Sequence, residues 1–152
     1  MYKKILVPID GSGSAKRGLG EAIKLARHLG AQLRLIHVVD AFVVTPTLEG
    51  GPYVDEIRAS LRAHGAKLLK RAEALANKQG ITSDSVLLEI VGGSAAADVI
   101  VAQARKWHAD LIVIGTHGRR GIRRLIMGSD AELIVRTSPV PVLIIRSRAS
   151  AR

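Results

Sequence analysis

Gly115–Ser129 reads GTHGRRGIRRLIMGS and follows the apolar run Asp110–Ile114, DLIVI. A short apolar run rich in β-branched residues and closed by glycine reads as a buried strand. Glycines then fall at 115, 118, 121 and 128, where the backbone can turn freely or lie close to a ligand. Ser129-Asp130-Ala131-Glu132 fits a capping box at the start of a helix. A strand end, a glycine loop and a helix N-terminus therefore lie within fifteen residues. Helix N-termini carry unpaired N–H groups and a positive dipole end, both suited to phosphate. Arg119, Arg120, Arg123 and Arg124 stand in the same loop.

The flanking chain repeats this strand-to-helix alternation. Lys3–Asp10, KKILVPID, reads as a first strand that finishes near Pro8, which has no N–H for the ladder. Gly11-Ser12-Gly13-Ser14 turns into a helix whose apolar stripe is Leu19, Ala22, Ile23, Ala26 and Leu29, and Gly30 stops it. Gln32–Val39 reads as a second strand. Asp40–Tyr53 holds Thr45-Pro46-Thr47 and Gly50-Gly51-Pro52 and is the longest irregular connection. From about Val54 the pattern is helical, with Ile57, Leu61, Leu68, Ala72 and Leu75 in phase, and Gly80 ends it. Ser85–Val91 reads as a third strand. Gly92-Gly93-Ser94 then leads into a helix with Ile100, Ala104 and Trp107 on its stripe, where Trp107 is expected to pack. After the glycine loop come a short helix, Asp130–Arg136, and a last strand, Val140–Ile145, bracketed at its start by Pro139 and Pro141.

Strands alternating with helices imply one α/β domain over residues 1–152, a doubly wound parallel sheet with helices on both faces. Ligands of such sheets bind beyond the C-terminal strand ends, where strand order reverses. If the first and fourth strands meet there, Asp10 and Gly115 face one crevice.

Composition narrows the chemistry. There is no cysteine, so disulfides and thiolate metal sites are excluded, and a cytoplasmic setting is expected. No run approaches a membrane span, and no membrane partner is expected. Aromatics are 3%, so the core must be aliphatic. The net charge of +10 permits a nucleic-acid or other anionic partner, although a solvated basic surface is the simpler account of it. Neither G-x-x-x-x-G-K-[ST] nor G-x-S-x-G is present, and Lys16 occupies the third glycine position of a dinucleotide fingerprint begun by Gly11 and Gly13. His28, His37, His64, His108 and His117 form no metal-ligand spacing, and no metal or catalytic residues are assigned.

The spacing Gly115-x2-Gly118-x9-Gly128-Ser129, the opening KKILVPIDGS, the strand ending His37-Val38 and the closing PVPVLII together resemble the universal stress protein family over nearly the whole chain. The resemblance implies a five-stranded parallel sheet of order 3-2-1-4-5 and, for the subset with this glycine motif, ATP as ligand, with or without Mg2+. By position, Pro8, Ile9 and Asp10 would line the adenosine pocket with Val38 beside the adenine. Ile114, Gly115, His117 and Gly118 would follow the ribose and phosphates, and Gly128 and Ser129 would hold phosphate oxygens. Asp130 and Ala131 depart from the family, which has an apolar residue and then Ser or Thr there. Ala131 lacks a hydroxyl for the terminal phosphate, and Asp130 brings a negative charge that Arg119 or Arg120 would offset. The resemblance further implies a homodimer through the last strand.

The expected function is a nucleotide-dependent stress-response regulator with at most slow ATP hydrolysis, since the motif lacks a Walker lysine and paired metal carboxylates. Two other readings stay open. One is an interaction module with a vestigial nucleotide site. The other is a basic nucleic-acid-binding module built on Arg119–Arg124 and the basic tail, for which stacking aromatics are scarce.

Overall fold

A computed structural model describes residues 1–40, 52–90, 92–116 and 127–146. The elements run β1 (Lys4–Pro8), α1 (Gly13–Leu29), β2 (Gln32–Val39), α2 (Pro52–Lys78), β3 (Ser83–Glu89), α3 (Ala96–Trp107), β4 (Leu111–Thr116), α4 (Ser129–Thr137) and β5 (Val142–Arg146). All strand pairs are parallel and the order is β3-β2-β1-β4-β5. The order reverses between β1 and β4, where Ile5 pairs with Leu111 and Leu6 with Ile112.

Alternate side chains of the central strands point to opposite faces, and each face has its own apolar cluster. Ile5, Val7, Leu33, Leu35 and Val113 pack against Leu19, Ala22, Ile23 and Ala26 of α1 and Leu69, Ala72 and Ala76 of α2. Leu6, Ile36, Ile112 and Ile114 pack against Ala97, Ile100, Ala104 and Trp107 of α3 and Ile134 of α4. Both faces of the sheet are thus covered, which is why β1 and β4 are continuous apolar runs.

Punctuation explains most element ends. The Ser12 hydroxyl caps α1 by accepting from the Ala15 N–H, 3.1 Å. Gly30 closes it at φ 61°, with Ala31 N–H bonded to the Ala26 carbonyl. Trp107 packs as expected, 9% exposed, with the Arg34 guanidinium 4.7 Å and the Lys4 ammonium 5.5 Å from its ring centre.

Several boundaries differ from the sequence reading. β3 starts and ends two residues earlier than Ser85–Val91, because Ser83 and Asp84 pair with Leu33 and Arg34, and Asp84 takes two hydrogen bonds from the Arg34 guanidinium. β4 does not stop at Ile114 but carries Gly115 and Thr116 into register with Ile145 and Arg146. β5 begins at Val142, after both prolines. In α2 the buried stripe is Val54, Gly65, Leu69, Ala72 and Ala76, and Leu75, expected on it, is 46% exposed. Small residues on that stripe let the helix lie close on β2 and β3, which rotates Leu75 outward.

Candidate functional site

The C-terminal ends of β1, β2 and β4 and the starts of α3 and α4 enclose a cavity of about 430 Å³, within the range of small-molecule sites. β1 brings Pro8, Ile9 and Asp10 to it, β2 brings Ile36, His37 and Val38, and β4 brings Ile114, Gly115 and Thr116. The far wall is Ala96 and Ile100 of α3 with Gly128, Ser129, Asp130, Ala131 and Ile134 around α4. Asp10 and Gly115 do face one crevice. Of the sequence-expected positions, Pro8, Ile9, Asp10, Val38, Ile114, Gly115, Gly128, Ser129, Asp130 and Ala131 line it, while His117, Gly118 and Arg119 lie outside the described residues.

Ile36, Val38, Ile100, Ile114 and Ile134 give the cavity an aliphatic floor, which fits a flat, weakly polar ring. Its polar part combines the side chains of Asp10, Thr116, Ser129 and Asp130 with backbone at two helix starts. α3 begins at Ala95, which has no side-chain cap, and Asp98 instead accepts from the Ala95 N–H, 3.1 Å. α4 begins at Gly128, whose carbonyl accepts from the Glu132 N–H, 3.0 Å. This corrects the expected capping box: Ser129 is the first helical residue, not the N-cap, so its hydroxyl is not spent on capping and stands exposed at the rim. The start of α4 thus carries no side-chain cap, and it faces the cavity; helix N-termini attract anions.

Gly115 has a second duty that the loop pattern did not reveal. A Cβ there would lie 2.0 Å from the Ser14 carbonyl oxygen and 2.8 Å from the Ala15 nitrogen. The first turn of α1 sits directly on β4, and Gly18 meets the Gly115 nitrogen from the same helix. The glycine is needed by the packing of α1, quite apart from any ligand.

The sequence reading missed Ala15, Ile36, His37, Ala96, Ile100, Thr116 and Ile134 as lining residues. Most are core aliphatics whose periodicity is the same with or without a ligand. His37 is different. Its Nδ1 lies 2.6 Å from the Ile9 carbonyl, and since a carbonyl only accepts, Nδ1 carries the hydrogen and donates. The Ile9 N–H in turn bonds the Ile36 carbonyl, 2.7 Å. Next along the chain, an Asp10 carboxylate oxygen accepts from the Ser12 N–H, 2.8 Å. The imidazole thus ties down the chain just where β1 leaves the sheet. Gly65 of α2 makes room for the ring: a Cβ at 65 would be 2.4 Å from His37 Cδ2 and 2.7 Å from Leu87 Cδ1.

The shifted titrations lie elsewhere. The backbone N–H groups of Lys3 and Lys4 hold the Asp110 carboxyl below its usual range, at 2.8 and 2.9 Å. The Arg62 guanidinium does the same to Glu89 at the outer edge of the sheet. Among the described residues no group of three or more His, Cys, Asp or Glu side chains could hold a metal ion, and no helix is long and apolar enough to cross a membrane.

Comparison with known proteins agrees with this architecture. The model of the universal stress protein family matches residues 1–146. A universal stress protein of Methanocaldococcus jannaschii is 34% identical over 148 residues, covering 96% of this chain and 83% of its own. The crystal structure of a protein from that family from Burkholderia pseudomallei superposes with a TM-score of 0.78 at 32% identity, over 96% of this chain and 97% of that one. The universal stress protein from Archaeoglobus fulgidus in complex with dAMP superposes with a TM-score of 0.64 at 29% identity, over 95% and 98%.

Proposed function

We infer that this chain, which belongs to the universal stress protein family, binds an adenine nucleotide in the cavity above β1 and β4 and acts as a nucleotide-dependent regulator in the cytoplasm. The observation that carries the reading is the pairing of an aliphatic floor with the start of α4, which lacks a capping side chain and leaves the Ser129 hydroxyl exposed. Adenine would lie between Val38 and the Pro8–Asp10 segment, with its ribose toward Ile114 and Gly115. The phosphates would face Gly128 and Ser129, where N–H groups and a hydroxyl are available without breaking a cap. By the family resemblance alone, His117 and Gly118 would follow the ribose and phosphates and Arg119 would offset the Asp130 charge. The dAMP complex of the Archaeoglobus protein favours this ligand class, and ATP, with or without Mg2+, is its member that the glycine spacing resembles.

Calorimetric titration with AMP and with ATP, each with and without magnesium, should give one site per chain. Ala96→Phe would fill the cavity from a half-buried position at the start of α3 and should remove binding while the protein stays folded. Full affinity in that variant would place the ligand elsewhere, and no binding to wild type would end the reading.

The same family membership supports a homodimer through β5. This strand is a sheet edge, and Leu143 on it and Val135 on α4 are 39% and 41% exposed. An unpaired parallel edge carrying aliphatic side chains invites a second copy.

A further inference from the structure

The chain's positive charge is divided unequally between the two helical layers. α1 and α2, on one face of the sheet, hold ten lysines and arginines against four carboxylates. α3 and α4, on the other, hold three against three. Most of the excess is unneutralised. Lys24 pairs with Glu21, and Arg62 with Glu89 of β3. Lys16, Arg17 and Arg27 of α1 are exposed and make no ion pair among the described residues, and the same holds for Lys67, Lys70, Arg71 and Lys78 of α2. The α2 carboxylates Asp55 and Glu56 sit at the opposite end of that helix, leaving Glu73 alone among the four cations.

We propose that the outer surface formed by α1 and the C-terminal half of α2 docks the phosphate backbone of duplex nucleic acid. Seventeen residues of α1 span about 25 Å and Lys67–Lys78 about 18 Å, so the cations cover roughly half a turn of duplex. Duplex phosphates come every ~1.7 Å of axis, and long flexible stems can meet them without a shaped groove. The surface has no Phe, Tyr or Trp on α1 or on residues 67–78, which removes most of the stacking that single strands use. It also lacks the aromatic anchors of a protein interface. Leu75 is its one exposed large aliphatic among the described residues, too little to insert into a lipid surface. Ala15 at the start of α1 lines the nucleotide cavity, but none of the seven cations does.

The test is fluorescence anisotropy of a labelled 20-base-pair DNA of mixed sequence with the full chain from 50 to 200 mM KCl. With five or six phosphate contacts, log affinity should fall against log salt with a slope near −5, about a thousandfold over that range. Lys67→Glu/Lys70→Glu/Arg71→Glu should lose on the order of 30-fold at 100 mM, while Arg105→Glu/Lys106→Glu on α3 should lose less than about threefold. Lys16→Gln/Arg17→Gln/Arg27→Gln, which leaves α2 intact, should flatten the slope by about 3. Circular dichroism melts check that each variant is folded, and the α1 variant decides if the α2 variant is not. Four results would each overturn the proposal: no binding at 50 mM, equal losses in the α2 and α3 variants, tighter binding of the single strand, or competition by polyglutamate or phosphatidylserine vesicles as effective as that of unlabelled duplex.

Discussion

Gly115→Ala should be among the most damaging single-methyl additions this fold can receive. The new Cβ would stand 2.0 Å from the Ser14 carbonyl oxygen, 2.3 Å from the Ser14 carbonyl carbon and 2.8 Å from the Ala15 nitrogen. All three are backbone atoms, so no side chain can swing aside. Restoring an ordinary separation of about 3.4 Å requires the first turn of α1 to lift by about 1.4 Å. That motion loosens the seat of Leu19, Ala22 and Ile23 in the α1 core. Overpacking of this kind typically costs 1–3 kcal/mol, and with rigid backbone on both sides we expect about 3 kcal/mol. For a domain of this length the melting temperature should fall by about 6–12 °C. Urea titration of wild type and variant, with a shared m-value, measures the loss. Gly18→Ala is the internal control: its Cβ would be 3.1 Å from the Gly115 nitrogen, tight but adjustable, and alanine gains up to about 1 kcal/mol of helix propensity. It should therefore lie within about 1 kcal/mol of wild type. If Gly115→Ala is equally mild, α1 does not rest on β4 in this way.

Three further outcomes follow from the geometry. Asp110 is lowered in the folded chain by the Lys3 and Lys4 N–H groups, so its stabilisation is full above the unfolded value near 3.8 and is lost as pH falls through the lower folded value; Asp110→Asn should melt earlier than wild type at pH 7, with the gap closing below pH ~4, and a pH-independent gap would contradict this. Asp130→Val/Ala131→Thr removes a charge from the cavity wall and adds a hydroxyl there, so calorimetry should show ATP gaining more affinity than AMP; equal gains would mean that these positions do not face the outer phosphates. Leu143→Lys places a charge on the β5 edge and should turn a dimer into a monomer in light scattering at micromolar concentration; a monomeric wild type, or a dimer indifferent to the lysine, would dispose of that interface.

The order of elements and most of the cavity wall were legible in the sequence, for local reasons. Ser12, Gly30 and the prolines around β5 act on their own neighbours, and the apolar runs of β1 and β4 declare strands buried on both faces. What was not legible depends on contacts between distant segments. Asp84 belongs to β3 because Arg34, fifty residues earlier, holds it. Leu75 leaves the α2 stripe because Gly65 and Ala76 draw another face of the helix onto the sheet. Ser129 looks like an N-cap by type and spacing, yet Gly128 takes that place, and only the backbone dihedrals distinguish one-residue shifts at a helix start. Gly115 was identified as a site residue through its loop, whereas its strictest constraint comes from α1.

The imidazole of His37 and the bare α-carbon of Gly65 occupy what is in effect one side chain's worth of space between β2 and α2. The two positions therefore cannot drift independently as sequences diverge. A lineage that gains a methyl at 65 must shrink the residue at 37 as well as turn the Leu87 side chain aside, and would then give up the tether on the Ile9 carbonyl. Among descendants of this fold, histidine at the first position should travel with glycine at the second, and a smaller residue at the first should be the gate through which a larger one enters the second. Single and double substitutions here would show strong sign epistasis, with His37→Ala relieving the closer clash of a Gly65→Ala chain and the flexible Leu87 side chain left to yield to the other. The hydrogen bond that steadies the cavity's entrance is in that sense inherited as a pair of letters twenty-eight residues apart.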